Sequence, residues 1–226
     1  MFFFDSTIVL LIPVLILAFY AQNKVKGNYQ KYRQYRNSAN LTGAEVARMI
    51  LDRNGLHDVA IQPVKGELTD HYDPRKKVVS LSQAIYSGAS ISSASIAAHE
   101  VGHAIQHAKN YLPLTIRSSI VPIANIGTQS AFPLFFIGLI FSLPQLMDIG
   151  IIFFAAAFLF HIVTLPVEYN ASQRAMAELN QGIIYNDQEE KGVKAVLNAA
   201  ALTYVAATLM ALVNLIRLIL IRGSRS

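Results

Sequence analysis

Apolar residues in this chain are gathered into four long blocks, and polar residues fill the stretches between them. The first block covers residues 6–21, reading STIVLLIPVLILAFYA. It is just long enough to cross a bilayer if Phe2, Phe3 and Phe4 extend it at one end. Pro13 interrupts it, as membrane helices tolerate. A secretory leader would want a basic start and a small-residue cleavage site. The chain instead starts with Asp5 and no base, and leaves the block through Phe19, Tyr20, Ala21 and Gln22, so a retained anchor is expected. The second block, 120–143, contains Pro122 and Pro133, and 144–148 reads as a tight connection to the third, 149–167. Residues 170–194 are polar and compatible with a helix. The fourth block, 193–221, exceeds what a crossing needs, so its first turns are expected to pack on the polar part of the protein before entering lipid. Neither internal repeats nor low-complexity segments interrupt this order.

The polar middle, residues 40–111, follows a different pattern. Thr42 followed three residues later by Glu45 is a capping box, and it opens a helix through Val46, Ala47, Met49, Ile50 and Leu51 that should stop at Gly55. Residues 59–64 and 77–82 read as short strands, with a turn at 70–74 (Asp-His-Tyr-Asp-Pro) between them. The strand at 77–82 is a candidate edge for pairing with an extended peptide. A second helix is expected over 92–108.

Composition sharpens this picture in two ways. Hydrophobic residues make up 53% of the chain and charged residues 15%, well under the quarter usual in soluble domains. The excess sits in the blocks, which argues for membrane spans and not for one large core. The chain has no cysteine, which excludes disulfides, thiolate metal sites and cysteine nucleophiles together. The net charge of +5 does not call for nucleic acid, because the bases crowd beside apolar blocks. Lys24, Lys26, Lys31, Arg33 and Arg36 follow the first block with no acid among them, which by the positive-inside rule makes that side cytoplasmic. Four crossings then carry Arg222 and Arg225 to the outside, a conflict that the first cluster overrides or that an incomplete last crossing removes.

The chemistry lies in Ala97-Ala-His-Glu-Val-Gly-His-Ala104. His99 and His103 are four apart, so in a helix their imidazoles leave one face a turn apart and can share a zinc ion. Glu100 can reach a water on that ion and take its proton. Val101 should face the packed side, while Gly102 and the alanines admit a close neighbouring backbone. A catalytic zinc wants a third protein ligand and one open position, and there are three candidates. His107 continues the face but lies about 6 Å further along the axis. His161 sits within the third block, far from the polar part. Glu168 ends the third block and opens a polar segment, which suits it best.

The run GELTDHYDPRKKVVSLS, then AAHEVGHAIQHA, then LPVEYNASQRA, resembles the YugP-type neutral zinc metallopeptidases, membrane proteins related in layout to HtpX and the CAAX prenyl proteases. The resemblance covers nearly the whole chain. It implies a gluzincin: one zinc ion held by His99, His103 and Glu168, with Glu100 as general base. The wider HtpX-like pattern carries an Asp four residues after the Glu, bracing a ligand histidine. Here that position is Ser172, which leaves Ser172 or Asn170 to orient the imidazoles. An oxyanion donor is also needed. His71 and Tyr72 are candidates by family layout, and Arg174, about a turn and a half beyond Glu168, is another.

The expected architecture is mostly α: a polytopic helical membrane protein with a small α+β gluzincin-like zinc-peptidase unit. The chain divides into an anchor (1–22), a cytoplasmic α+β part with the HExxH helix (23–116), a two-span hairpin (117–168), a polar helix completing the active site (169–192) and a last span with a basic tail (193–226). The expected function is a membrane-bound zinc endopeptidase acting on membrane or membrane-proximal proteins. Its partners are a peptide substrate and the lipid bilayer, not nucleic acid, and its location is a bacterial inner membrane with the active site inside. Two other functions share some of these residues. A metal transporter would use His161 and Glu168 within the bilayer. A structural zinc scaffold would close the site with a fourth ligand such as His107.

Overall fold

The computed structural model describes residues 6–224. Phe2, Phe3, Phe4, Asp5 and Arg225, on which parts of the span and topology readings draw, lie outside them. A short 3-10 turn, Ser6–Leu10, leads into helix α1, Leu11–Arg33. This helix runs on well past residue 21, for about 35 Å at 1.5 Å per residue. Lys24, Lys26, Lys31 and Arg33 therefore stand on helix, and only Arg36 of the basic group follows it.

The capping box forms as its spacing predicts. Thr42 Oγ1 accepts from the Glu45 N–H, and the Glu45 carboxylate accepts from the Thr42 N–H at 2.7 Å. Helix α2, Gly43–Arg53, follows, and Gly55 at φ +72° turns the chain out of it. The sheet departs from expectation. Strands β1 (Ala60–Val64), β2 (His71–Asp73) and β3 (Val78–Ser82) pair in the order β1-β3-β2. β1 runs parallel to β3, while β2 runs antiparallel to it with His71 opposite Ser80. So β3 is the central strand, paired on both sides, and offers no edge to a peptide. The free edges belong to β1 and to β2, and β2 forms where a turn was expected.

After the single turn α3, Gln83–Tyr86, helix α4 spans Ile91–Ala108. Ser90 caps it, its Oγ accepting from the Ser93 N–H at 3.0 Å. α4 is the axis of the polar half. Val46, Ile50 and Leu51 of α2, Val79 and Leu81 of β3, and Ala94, Ala97, Val101 and Ile105 of α4 form one buried core. Ala175, Leu179, Val193 and Leu197 close that core from the far side.

The remaining helices are α5 (Leu112–Ile140), α6 (Pro144–Leu179) and α7 (Asp187–Gly223). With Thr7–Arg33, they make four helices among the described residues that are long and apolar enough to cross a membrane. The protein is thus a mostly α membrane protein carrying a small α+β unit. α6 corrects the sequence reading: 144–148 is its first turn, and the helix continues unbroken through Pro166 to Leu179. The polar stretch 170–194 is not one helix but the end of α6, a turn, and the start of α7. At about 54 Å, α6 outreaches a 30 Å hydrocarbon layer, and its excess joins the polar core. α7 does the same through Val193 and Leu197, as its length foretold. At the opposite end, Arg222 pairs with Asp148 at 2.8 Å, so one of the two bases in conflict with the topology is held by an acid in the first turns of α6.

Candidate metal centre

The segment 97–104 lies within α4, so His99 and His103 do project from one face. Their rings stand 4.9 Å apart, centroid to centroid, with planes at 86°. α6 crosses this face closely. A Cβ added at Gly102 would sit 2.6 Å from the Ala171 carbonyl oxygen, so glycine is what lets the two backbones meet. That crossing brings Glu168, 3% exposed, onto the histidines. Its Oε2 lies 3.3 Å from His99 Nε2 and 3.5 Å from His103 Nε2. One ligand atom from each of the three residues falls within 4.8 Å of the others.

These separations suit a shared ion. Donors arranged tetrahedrally around zinc at about 2.0–2.1 Å stand roughly 3.3 Å apart. The protonation pattern points the same way. Gln106 is fully buried, and its Nε2 donates to the Val167 carbonyl at 2.7 Å and to Asn170 Oδ1 at 3.0 Å. That fixes the amide orientation and leaves Gln106 Oε1 as the acceptor facing His103 Nδ1, 3.0 Å away. The Nδ1 of His103 therefore carries a hydrogen, and Nε2 is the ring nitrogen turned to the Glu168 carboxylate. A proton on Nε2 satisfies one such contact at a time, whereas a metal ion is the partner that meets both imidazoles and the carboxylate together. His99 Nδ1 meets Ser172 Oγ at 3.2 Å. Ser172 thus stands at one imidazole, while Asn170 reaches the other only through Gln106.

The trio opens into a cavity of about 350 Å³, lined also by Glu100, His71, Tyr72, Arg117 and Tyr204. Arg117 Nη1 lies 3.0 Å from the other oxygen of Glu168. The remaining sequence candidates divide. His71 lines the cavity, with its Nδ1 2.8 Å from the Thr69 carbonyl. Tyr72 also lines it, but its hydroxyl shares a hydrogen bond with His107 Nδ1 at 2.9 Å. Burial, reinforced by the Asp58 and Asp73 carboxylates, pushes this phenol up to about 12, so it remains a hydrogen-bond donor at neutral pH. Arg174 is not among the lining residues; its Nε donates to Asn170 Oδ1 at 2.7 Å, behind Gln106. His107 faces Tyr72 and a separate small pocket, and His161 is seven residues before Glu168, about 10 Å along α6. Neither joins the trio.

Gln106, Arg117 and Tyr204 escape the sequence reading. Gln106 has a usable signal, since it lies one helical turn after His103 on the same face. So does Arg117, the only charged residue between Lys109 and Asp148. Tyr204, inside an apolar block, has none.

Comparison with known proteins agrees with this geometry. The family described as "Putative neutral zinc metallopeptidase" matches residues 7–223. A curated protein of Bacillus subtilis (strain 168), named "Putative membrane protease YugP", is 51% identical over 215 residues, covering 95% of each chain. No solved structure matches the chain.

Proposed function

Since the chain belongs to the neutral zinc metallopeptidase family, we propose that it is a membrane-bound zinc endopeptidase that cleaves peptide bonds of membrane or membrane-proximal proteins. The observation that carries this reading is the convergence of His99, His103 and Glu168 beside Glu100 in one open cavity. His99 Nε2, His103 Nε2 and one Glu168 oxygen would hold a single zinc ion, a gluzincin set. Zinc bound there supplies Lewis acidity toward a carbonyl and lowers the pKa of a water. Glu100, at the cavity wall, accepts the proton of the attacking water and returns it to the leaving amine. Gln106 holds His103 in the tautomer that presents Nε2, and Ser172 steadies His99. His71 and Tyr204 offer N–H and O–H groups to the substrate and to charge developing on its carbonyl. Tyr72, hydrogen-bonded to His107, stands at the same wall. The free edge of β2, bearing His71 and Tyr72 on the cavity wall, is the place where an extended substrate pairs.

Metal removal tests the activity directly. The purified protein is expected to cleave an unfolded casein, to lose that activity to a chelator, and to recover it with one equivalent of zinc per chain. A chelated protein that still cleaves would end the metallopeptidase reading.

Glu168 lies about 36 Å along α6 from Pro144, so with Pro144 at one face of the bilayer the trio sits just beyond the hydrocarbon at the other. By the positive-inside rule the bases Lys24 to Arg36 support a cytoplasmic orientation of that face in a bacterial inner membrane. Cysteines introduced singly at Gln62 and Ser87, both exposed, should resist a membrane-impermeant thiol reagent in intact cells and react after lysis. Reaction in intact cells would reverse the orientation.

A further inference from the structure

We infer that Arg117 is a positioning residue that restricts Glu168 to ligation through one oxygen and so keeps a coordination position open for water. The inference rests on the metal-site reading above. Glu168 divides its oxygens: Oε2 faces the two imidazole Nε2 atoms at 3.3 and 3.5 Å, while Oε1 is held by Arg117 Nη1 at 3.0 Å. A carboxylate with both oxygens free can chelate a cation, and a chelating Glu168 would fill the site that a catalytic zinc must leave to water. A charge-assisted hydrogen bond to Oε1 opposes that swing. The setting makes the restraint firm, for the Glu168 side chain is 4% exposed and that of Arg117 30%.

The placement of Arg117 supports a dedicated role. It stands in the second turn of α5, in a run of apolar and hydroxyl residues. A lone cation there is costly beside a membrane unless it is paired, and its partner comes from a different helix. The same contact ties α5 to α6 at the metal site. A fixed planar guanidinium suits this task better than the flexible ammonium of lysine.

The test uses the full-length protein loaded with Co²⁺, whose visible absorption is strong in four-coordinate sites and weakens as coordination number rises. Wild type should show the strong spectrum. Arg117→Ala should weaken it, lower kcat by roughly 10–100-fold, as loss of an outer partner of a metal ligand does, and leave KM within about threefold. Arg117→Lys, which keeps the charge, should restore part of the spectrum and of kcat and shows that the position tolerates change without unfolding. If both variants keep the wild-type spectrum, the inference is wrong. If KM alone rises, Arg117 is a substrate-binding group and the inference again fails. The spectrum needs no cleavage, so a protein that shows these metal changes yet hydrolyses nothing would refute the peptidase reading while leaving Arg117 in its place. A wild-type protein that binds no cobalt would refute both.

Discussion

Glu100→Gln is expected to abolish proteolysis while leaving zinc bound at the wild-type level. Glu100 lines the cavity beside the trio but is not one of its members. The amide keeps the size of the side chain and removes only its basicity. General-base catalysis contributes about 10²- to 10⁴-fold, so cleavage should fall by that order, with substrate binding little changed. Metal analysis and a peptidase assay on the same preparation read both halves of the expectation. A variant with full activity would place the base elsewhere, and one that loses its zinc would make Glu100 part of the ion's support.

Glu168→Ala should have the other large effect, and a different one: zinc and activity fall together. Two imidazoles on one helix hold the ion weakly without the carboxylate. The loss should exceed the roughly 10–100-fold that removal of an outer partner costs. The variant also leaves the Arg117 guanidinium without the carboxylate that pairs with it, which adds to the instability of the site. His107→Ala and His161→Ala should keep both zinc and activity, because the first faces Tyr72 and the second lies about two turns away along α6.

Much of this site is legible in the sequence alone. The spacing of His99, Glu100 and His103 carries its own geometry once a helix is granted, and the gap at Gly102 follows from the same run. The four helices long and apolar enough to cross a membrane are visible because lipid imposes long uninterrupted apolar blocks. What stays hidden depends on neighbours. Residues 77–82 read correctly as a strand, but a short run whose apolar positions are Val78, Val79 and Leu81 does not say whether it is paired on one side or two. β2 has only three residues, too few for alternation to register. At Pro166 the composition changes from apolar to polar, which looks like the end of a helix. It marks a change of surroundings from lipid to protein, and the backbone continues. Ser172 is suggested by the pattern of a related family, whereas Gln106 is marked only by its place one turn after His103, and its bonds to Val167 and Asn170 of α6 show only in the fold.

The central claim is that one ion is held by His99, His103 and Glu168, with a position left open. X-ray absorption at the zinc edge on the purified, singly loaded protein tests it most directly. The account predicts two imidazole shells and oxygen neighbours, from one carboxylate and solvent, at about 2.0–2.1 Å, with the carboxylate component lost together with most of the zinc in Glu168→Ala. A third imidazole in the wild-type spectrum, with zinc retained in Glu168→Ala and lost in His107→Ala, would contradict it.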